Sequence, residues 1–249
     1  MKTAVASALA TLLLPAGATA AERWQFALSP YAWLAGVDGK TATIPPLPEA
    51  PIEISPKEAL EDTEVGYMLV MTAKKGRHGL LADLVYTDVR SGLAFVDALN
   101  LSLDSVSRNK MYTLAYSYEL VGNAASTLDA FAGVRYWDVD TRLQFSGGSG
   151  ALAGRRIDNG ERWLDPMLGL KGRRALGDAG FFLGGSAAVG GFEANSEVFF
   201  DGVLNLGYRW SDNVETTLGY RIVDVEYDNS AFLYDVRQEG VTLGLSWRF

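Results

Sequence analysis

Side chains able to do acid–base or nucleophilic chemistry are scarce in this chain of 249 residues. There is no cysteine, which removes disulfides, thiolate zinc sites and thiol nucleophiles together. There is one histidine, His78, so any imidazole base has to be that residue. It lies in a short polar stretch, Lys75–Gly79, and reads as a solvated turn residue. Gly184-Gly-Ser-Ala-Ala188 resembles a nucleophile elbow only in part, because the final glycine and the strand-to-helix context are missing. Asp138 and Asp140 could exchange protons without histidine, but they fall at a loop rim where carboxylates are solvated. No spacing matches a calcium loop. The expectation is therefore no catalytic residue, no metal and no cofactor, and a protein that is not an enzyme.

The remaining candidates are charges in unexpected places. Asp83, Arg135, Asp165, Asp201 and Arg221 each interrupt a stretch that alternates apolar and small or polar residues. In Val214–Tyr227, Leu218, Tyr220 and Ile222 alternate with Thr217, Gly219 and Arg221. In Leu128–Asp138, Leu128, Ala130, Ala132, Val134 and Tyr136 alternate with Asp129, Gly133 and Arg135. In Gly240–Phe249, Val241, Leu243, Leu245, Trp247 and Phe249 form one face, and Gly240, Thr242, Gly244, Ser246 and Arg248 the other. Such period-two patterns are strands. One face carries aliphatics with Tyr and Trp near the strand ends, and the other carries Gly, Ser, Thr and charges. A water-soluble barrel wants the reverse arrangement, so the apolar face looks toward lipid. Charges then belong inside, since Arg or Lys facing lipid near the midplane costs about 2–4 kcal/mol. The same parity turns Glu119, Lys171, Arg173, Arg209 and Arg248 inward.

The elements that must hold these residues are about ten strands, roughly 24–36, 63–74, 79–90, 105–120, 127–145, 161–176, 180–191, 197–210, 213–227 and 234–249. Twelve are possible if residues 37–54 supply another hairpin. Short connections (Lys75–Gly79, Gly122–Ala125, Gly177–Gly180, Ser211–Asn213) alternate with longer ones, as in barrels with short periplasmic turns and long outer loops. The fold class is all-β, an antiparallel up-and-down transmembrane barrel. Pro166, beside Asp165, removes a ladder donor and suggests a bulge. Five of the eight prolines fall between Ile44 and Pro56, followed by Ser55-Pro-Lys-Glu. Ser55 as N-cap, Pro56 at the first helical position and Glu58 at the third predict a short helix in the first outer loop. That loop is a candidate for folding inward and constricting the lumen.

Ahead of the barrel, Lys2, the apolar run Ala4–Leu14 and Ala18-Thr-Ala20 have the form of an export signal, so residues 1–20 are expected to be cleaved and 21–249 to form the barrel domain. The apolar run is too short for a spanning helix. An acidic balance, Lys+Arg 22 against Asp+Glu 30, excludes nucleic acid as a natural partner.

The terminal segment Val241-Thr-Leu-Gly-Leu-Ser-Trp-Arg-Phe249 resembles the targeting signal of Gram-negative outer-membrane barrels. That resemblance implies recognition by the barrel-assembly machinery through Leu245, Trp247 and Phe249. Ser29-Pro-Tyr-Ala-Trp-Leu-Ala-Gly-Val-Asp-Gly39, Gly79-Leu-Leu-Ala-Asp83, Gly133-Val-Arg-Tyr136, Asp165-Pro166 and Gly219-Tyr-Arg221 are similar to segments of an uncharacterised proteobacterial family of roughly 250-residue outer-membrane proteins. It implies an outer-membrane location, reached through the periplasm, among lipids and lipopolysaccharide. Enzymes built on such barrels use histidine chemistry near the outer leaflet, and His78 falls at the periplasmic end. Two readings of the inward charges compete. Either they pair into a network that fills the lumen, or they line a watery constriction. The expected function is a narrow passive channel for small solutes or cations. The alternatives are a non-conducting structural or loop-presenting barrel and, more weakly, a membrane-embedded lipid-modifying enzyme.

Overall fold

The computed structural model describes residues 23–43, 48–93, 101–147 and 154–249. Residues 1–20, read as an export signal, lie outside them. Strand β1 (Gln25–Ala42) is followed by β2 (Ala50–Ile54), helix α1 (Pro56–Asp62), β3 (Thr63–Lys75), β4 (His78–Leu93), β5 (Leu101–Gly122) and β6 (Ser126–Gly147). Then come β7 (Arg156–Ala175), β8 (Phe181–Gly191), β9 (Val198–Arg209), β10 (Val214–Asp228) and β11 (Leu233–Arg248). Every neighbouring pair is antiparallel, and β11 pairs back onto β1, so ten strands close a ring while β2 stays outside it. Phe249 locks the seam. Its backbone exchanges two 3.0 Å hydrogen bonds with Phe26.

Within residues 37–54, Val37–Thr41 pair with Ala50–Ile54, but this pairing adds no strand to the ring. The ladder between β1 and β3 covers only Gln25–Pro30 against Leu69–Lys74. Beyond Pro30 the chain leaves β3, and β2 takes over the same edge of β1 from Val37 upward. Helix α1 crosses this seam. Ser55 accepts from the Glu58 amide while the Glu58 carboxylate accepts from the Ser55 amide, the reciprocal cap that the sequence predicts. The helix buries none of its residues, and Leu60 is exposed. It therefore packs no side chain into the core of the lumen, because seven residues with one large apolar side chain have little to gain from entering it.

Pro166 marks a departure, not a bulge. The β6–β7 register runs unbroken through Val134↔Pro166, whereas pairing of β7 with β8 begins only at Met167. Proline sits where one neighbour of the strand ends, so its missing N–H costs the ladder nothing there. Strands β5, β6 and β7 rise well past β8 and β9, and this gives the barrel one tall wall.

The alternation inverts part-way up the barrel. On the outside of β6, Leu128, Val134 and Tyr136 give way to Asp138 and Asp140; on β10, Leu218, Tyr220 and Ile222 give way to Asp224 and Glu226; on β11, Leu243 and Val241 give way to Glu239 and Arg237. On the inside the change is opposite, from Arg135 to Trp137 and Val139, and from Arg221 to Val223, Val225 and Tyr227. Below the switch the molecule is dressed for lipid, over stretches such as Val241–Phe249 that match the length of a tilted crossing. Above it the molecule is dressed for water.

Candidate functional site

Asp83, Thr113, Arg135 and Asp165 stand directly opposite one another across β4, β5, β6 and β7, so one horizontal row of the sheet carries four polar side chains inward. Asp201 on β9 and Arg221 on β10 meet this row from the far side of the ring. Arg221 donates to Asp201 (2.7 and 3.1 Å), to Asp83 (2.8 Å) and to the Tyr31 hydroxyl (2.6 Å), and that hydroxyl donates to Asp83 (2.8 Å). Arg135 donates to Asp201 (2.6 Å) and to the Thr113 hydroxyl (2.9 Å). Two guanidiniums and two carboxylates thus form a charge-neutral plate. All four residues are buried, with Arg135 at 2 % and Arg221 at 3 % exposure. Burying four charges is tolerable because each is paired and hydrogen-bonded.

Asp165 belongs to the same row but not to the plate. It is fully buried and accepts from the Ser196 amide and hydroxyl (2.9 and 2.6 Å) and from the Trp163 indole (3.1 Å). It therefore anchors the short β8–β9 loop to the tall β7 wall.

Outward of the plate the lumen is packed. Trp163 stacks on Tyr227 with ring centroids 4.0 Å apart and on Trp137 at 5.7 Å, and Trp137 meets Phe199 edge-on at 5.6 Å. Phe232, Tyr234, Val223 and Val236 complete the cluster. The two arginines close its floor, Arg135 lying 4.8 Å from the Phe199 ring centre and Arg221 5.1 Å from that of Trp33. At the top, Asn159 of β7 donates to the Thr43 carbonyl beyond β1, reaching across the barrel mouth (2.7 Å). Strand parity predicts a polar interior throughout and misses this core. Its signal lies in the inversion of the alternation past Arg135 and Arg221.

Inward of the plate lies a cavity of about 1080 Å³. It opens at the end that carries the short turns and Phe249, the periplasmic end in barrels of this type. The five further inward charges line or flank it. Lys74 bonds Glu119 and Asp129, and Lys171 lies 3.9 Å from Asp129. Arg173, Arg209 and Arg248 converge on Glu215.

The other candidates lie elsewhere. His78 is exposed at the start of β4, with its ring nitrogen 2.5 Å from the Tyr116 hydroxyl and its ring edge-on to Tyr118. Asp138 is on the outer surface and is not solvated as expected, since Lys110 (2.8 Å) and Arg162 (3.3 Å) cover it. Among the described residues no group of His, Asp or Glu is arranged to hold a metal ion. Leu245, Trp247 and Phe249 point outward from the closing strand.

No family model matches the chain, and no curated protein matches it. Solved structures do. The chain is similar to the outer membrane protease OmpT from Escherichia coli, with 10 % identity and a TM-score of 0.54 over 91 % of this chain and 97 % of that one. A major outer membrane protein from Thermus thermophilus gives 15 % identity and a TM-score of 0.43, covering 91 % and 99 %. The attachment invasion locus protein Ail of Yersinia pestis gives 12 % and 0.40, covering 92 % and 99 %. At 10 % identity the likeness to OmpT is one of fold, and the fold is the closed antiparallel barrel of outer-membrane proteins.

Proposed function

We propose that this protein is a non-conducting outer-membrane barrel whose transmembrane ring carries a compact, water-facing head above the bilayer. The observation that carries the reading is the inversion of both faces at the level of the Asp83–Arg221–Asp201–Arg135 plate. Above that level the interior is a core of buried, mutually stacked aromatic and aliphatic side chains, and a solute path would have to unpack it. The inward charges then act as the floor of the head and not as a selectivity filter. A packed head favours the structural, loop-presenting role over the narrow channel also expected from the sequence.

Removal of residues 1–20 on export, recognition of Leu245, Trp247 and Phe249 by the barrel-assembly machinery, and contact with lipopolysaccharide belong to the same reading. They are supported by the lipid-facing band and by the outward placement of the terminal aromatics. No acid–base pair is brought together near the outer leaflet with histidine, and this favours a protein without enzymatic activity.

Solute flux tests the proposal. Proteoliposomes containing the folded protein should swell no faster in glucose or glycine than empty liposomes. Swelling at rates that fall with solute size would overturn the shut-lumen reading.

A further inference from the structure

The cavity beneath the plate contains a site that the shut lumen does not explain. Glu215, on β10, is 3 % exposed and lies behind three arginines. Arg173 holds both of its carboxylate oxygens (2.6 and 2.7 Å), Arg209 adds a bond to one (3.0 Å) and Arg248 a bond to the other (2.8 Å). One carboxylate thus takes four hydrogen bonds from three guanidiniums, which together own fifteen N–H donors. The side chains of Arg173, Arg209 and Arg248 remain 22, 46 and 39 % exposed in front of it. The other two cations of the cavity below the plate, Lys74 on β3 and Lys171 on β7, are balanced by Glu119 and Asp129. The excess of two positive charges is therefore local to the arginine triad. Asp178, in the turn at the cavity mouth, is the remaining acidic residue on this lining below the plate, and no ion pair joins it to the triad.

A positive excess of this kind inside a lipid-encircled wall is felt more strongly than on an open surface. Apolar side chains line part of the same cavity. Arg173 lies 3.3 Å above the ring centre of the buried Phe182, and Phe131 and Val203 line the same cavity. Gly207 stands where a Cβ would overlap the Phe182 ring, so the backbone is shaped to seat that ring. We infer that the Arg173–Arg209–Arg248 triad is a binding site, entered from the periplasmic end, for a small organic dianion of the phosphate-monoester kind with an apolar body. The two-charge excess matches a dianion, planar guanidiniums match phosphate oxygens, and a cavity of about 1080 Å³ is at the upper end of the size that takes a small organic molecule.

Titration calorimetry of the folded, full-length barrel in micelles at low ionic strength tests this with phenyl phosphate, inorganic phosphate and benzyl alcohol. Phenyl phosphate should bind saturably and more tightly than inorganic phosphate, and benzyl alcohol should not bind. Arg209→Gln with Arg248→Gln should weaken phenyl phosphate at least tenfold, with folding checked by heat-modifiable gel mobility. Glu215→Gln removes the carboxylate that competes with the ligand and should tighten binding, whereas a purely structural cluster gives no gain. Absence of saturable binding, equal affinity for all three probes, or affinities unmoved by these variants would overturn the site.

Discussion

Asp201 carries the plate, because it alone bridges Arg135 and Arg221. Replacing it with alanine leaves two buried guanidiniums without their shared carboxylate, and breaking a buried pair from one side costs about 3–5 kcal/mol. Urea unfolding in micelles should show that loss for Asp201→Ala. Arg237→Ala, which breaks an exposed pair with Glu239 on the outer surface, should stay within about 0.5 kcal/mol of the parent. Parity alone is enough to turn Asp83, Arg135, Asp165, Asp201 and Arg221 inward, because a charge has only two faces of a strand to choose from. Partners are not legible in the same way. Which carboxylate meets which guanidinium depends on the register of strands far apart in sequence, and Asp165 holds a loop amide and an indole instead of a cation.

At the scale of elements, most strand ends are legible to within a few residues, since lipid on one side imposes a period of two, but β1 runs on to Ala42 and β7 begins at Arg156, both well outside the expected bounds. The first outer loop is legible locally and misleading globally. The Ser55–Glu58 cap can be read from three residue types, whereas the position of the helix depends on where β1 parts from β3. Ser55→Ala should therefore cost about 1 kcal/mol locally, raising amide exchange across Pro56–Asp62 about fivefold, with the urea midpoint of the barrel unchanged because the helix buries no residue. Strand glycines divide sharply. A Cβ at Gly240 would overlap the Leu34 carbonyl of the neighbouring strand, whereas at Gly172 it would meet only the Thr127 carbonyl at 3.4 Å and Leu128 at 3.6 Å. Gly240→Ala should lower the unfolding free energy by about 1–3 kcal/mol or more, with Gly172→Ala close to neutral.

The whole molecule is two environments joined at one plate, and its acids are distributed accordingly. On the water-facing head, the exposed Glu226 is held above the usual carboxylate range, first by the neighbouring Glu197 charge, then by slight desolvation and by Asp235 and Asp224. A carboxyl raised in the folded state penalises that state when ionised, so stability rises as pH falls through its folded value, opposite to the usual acid response. Thermal melts of the parent should show this rise between neutral and mildly acidic pH relative to Glu226→Gln, which should start more stable at neutral pH and lack that component. The head itself is hidden from a sequence reading that takes one environment for the entire strand. It becomes legible once the point of inversion is located on several strands at the same height.

The most direct test of the shut barrel is single-channel recording of the purified, heat-modifiable protein in planar bilayers. The parent should insert without discrete conductance steps at either polarity. Reproducible steps from the parent, with ion selectivity that changes when Arg135 or Asp201 is neutralised, would mean that the plate lines an open pore, and would contradict a lumen closed by its charge plate and aromatic core.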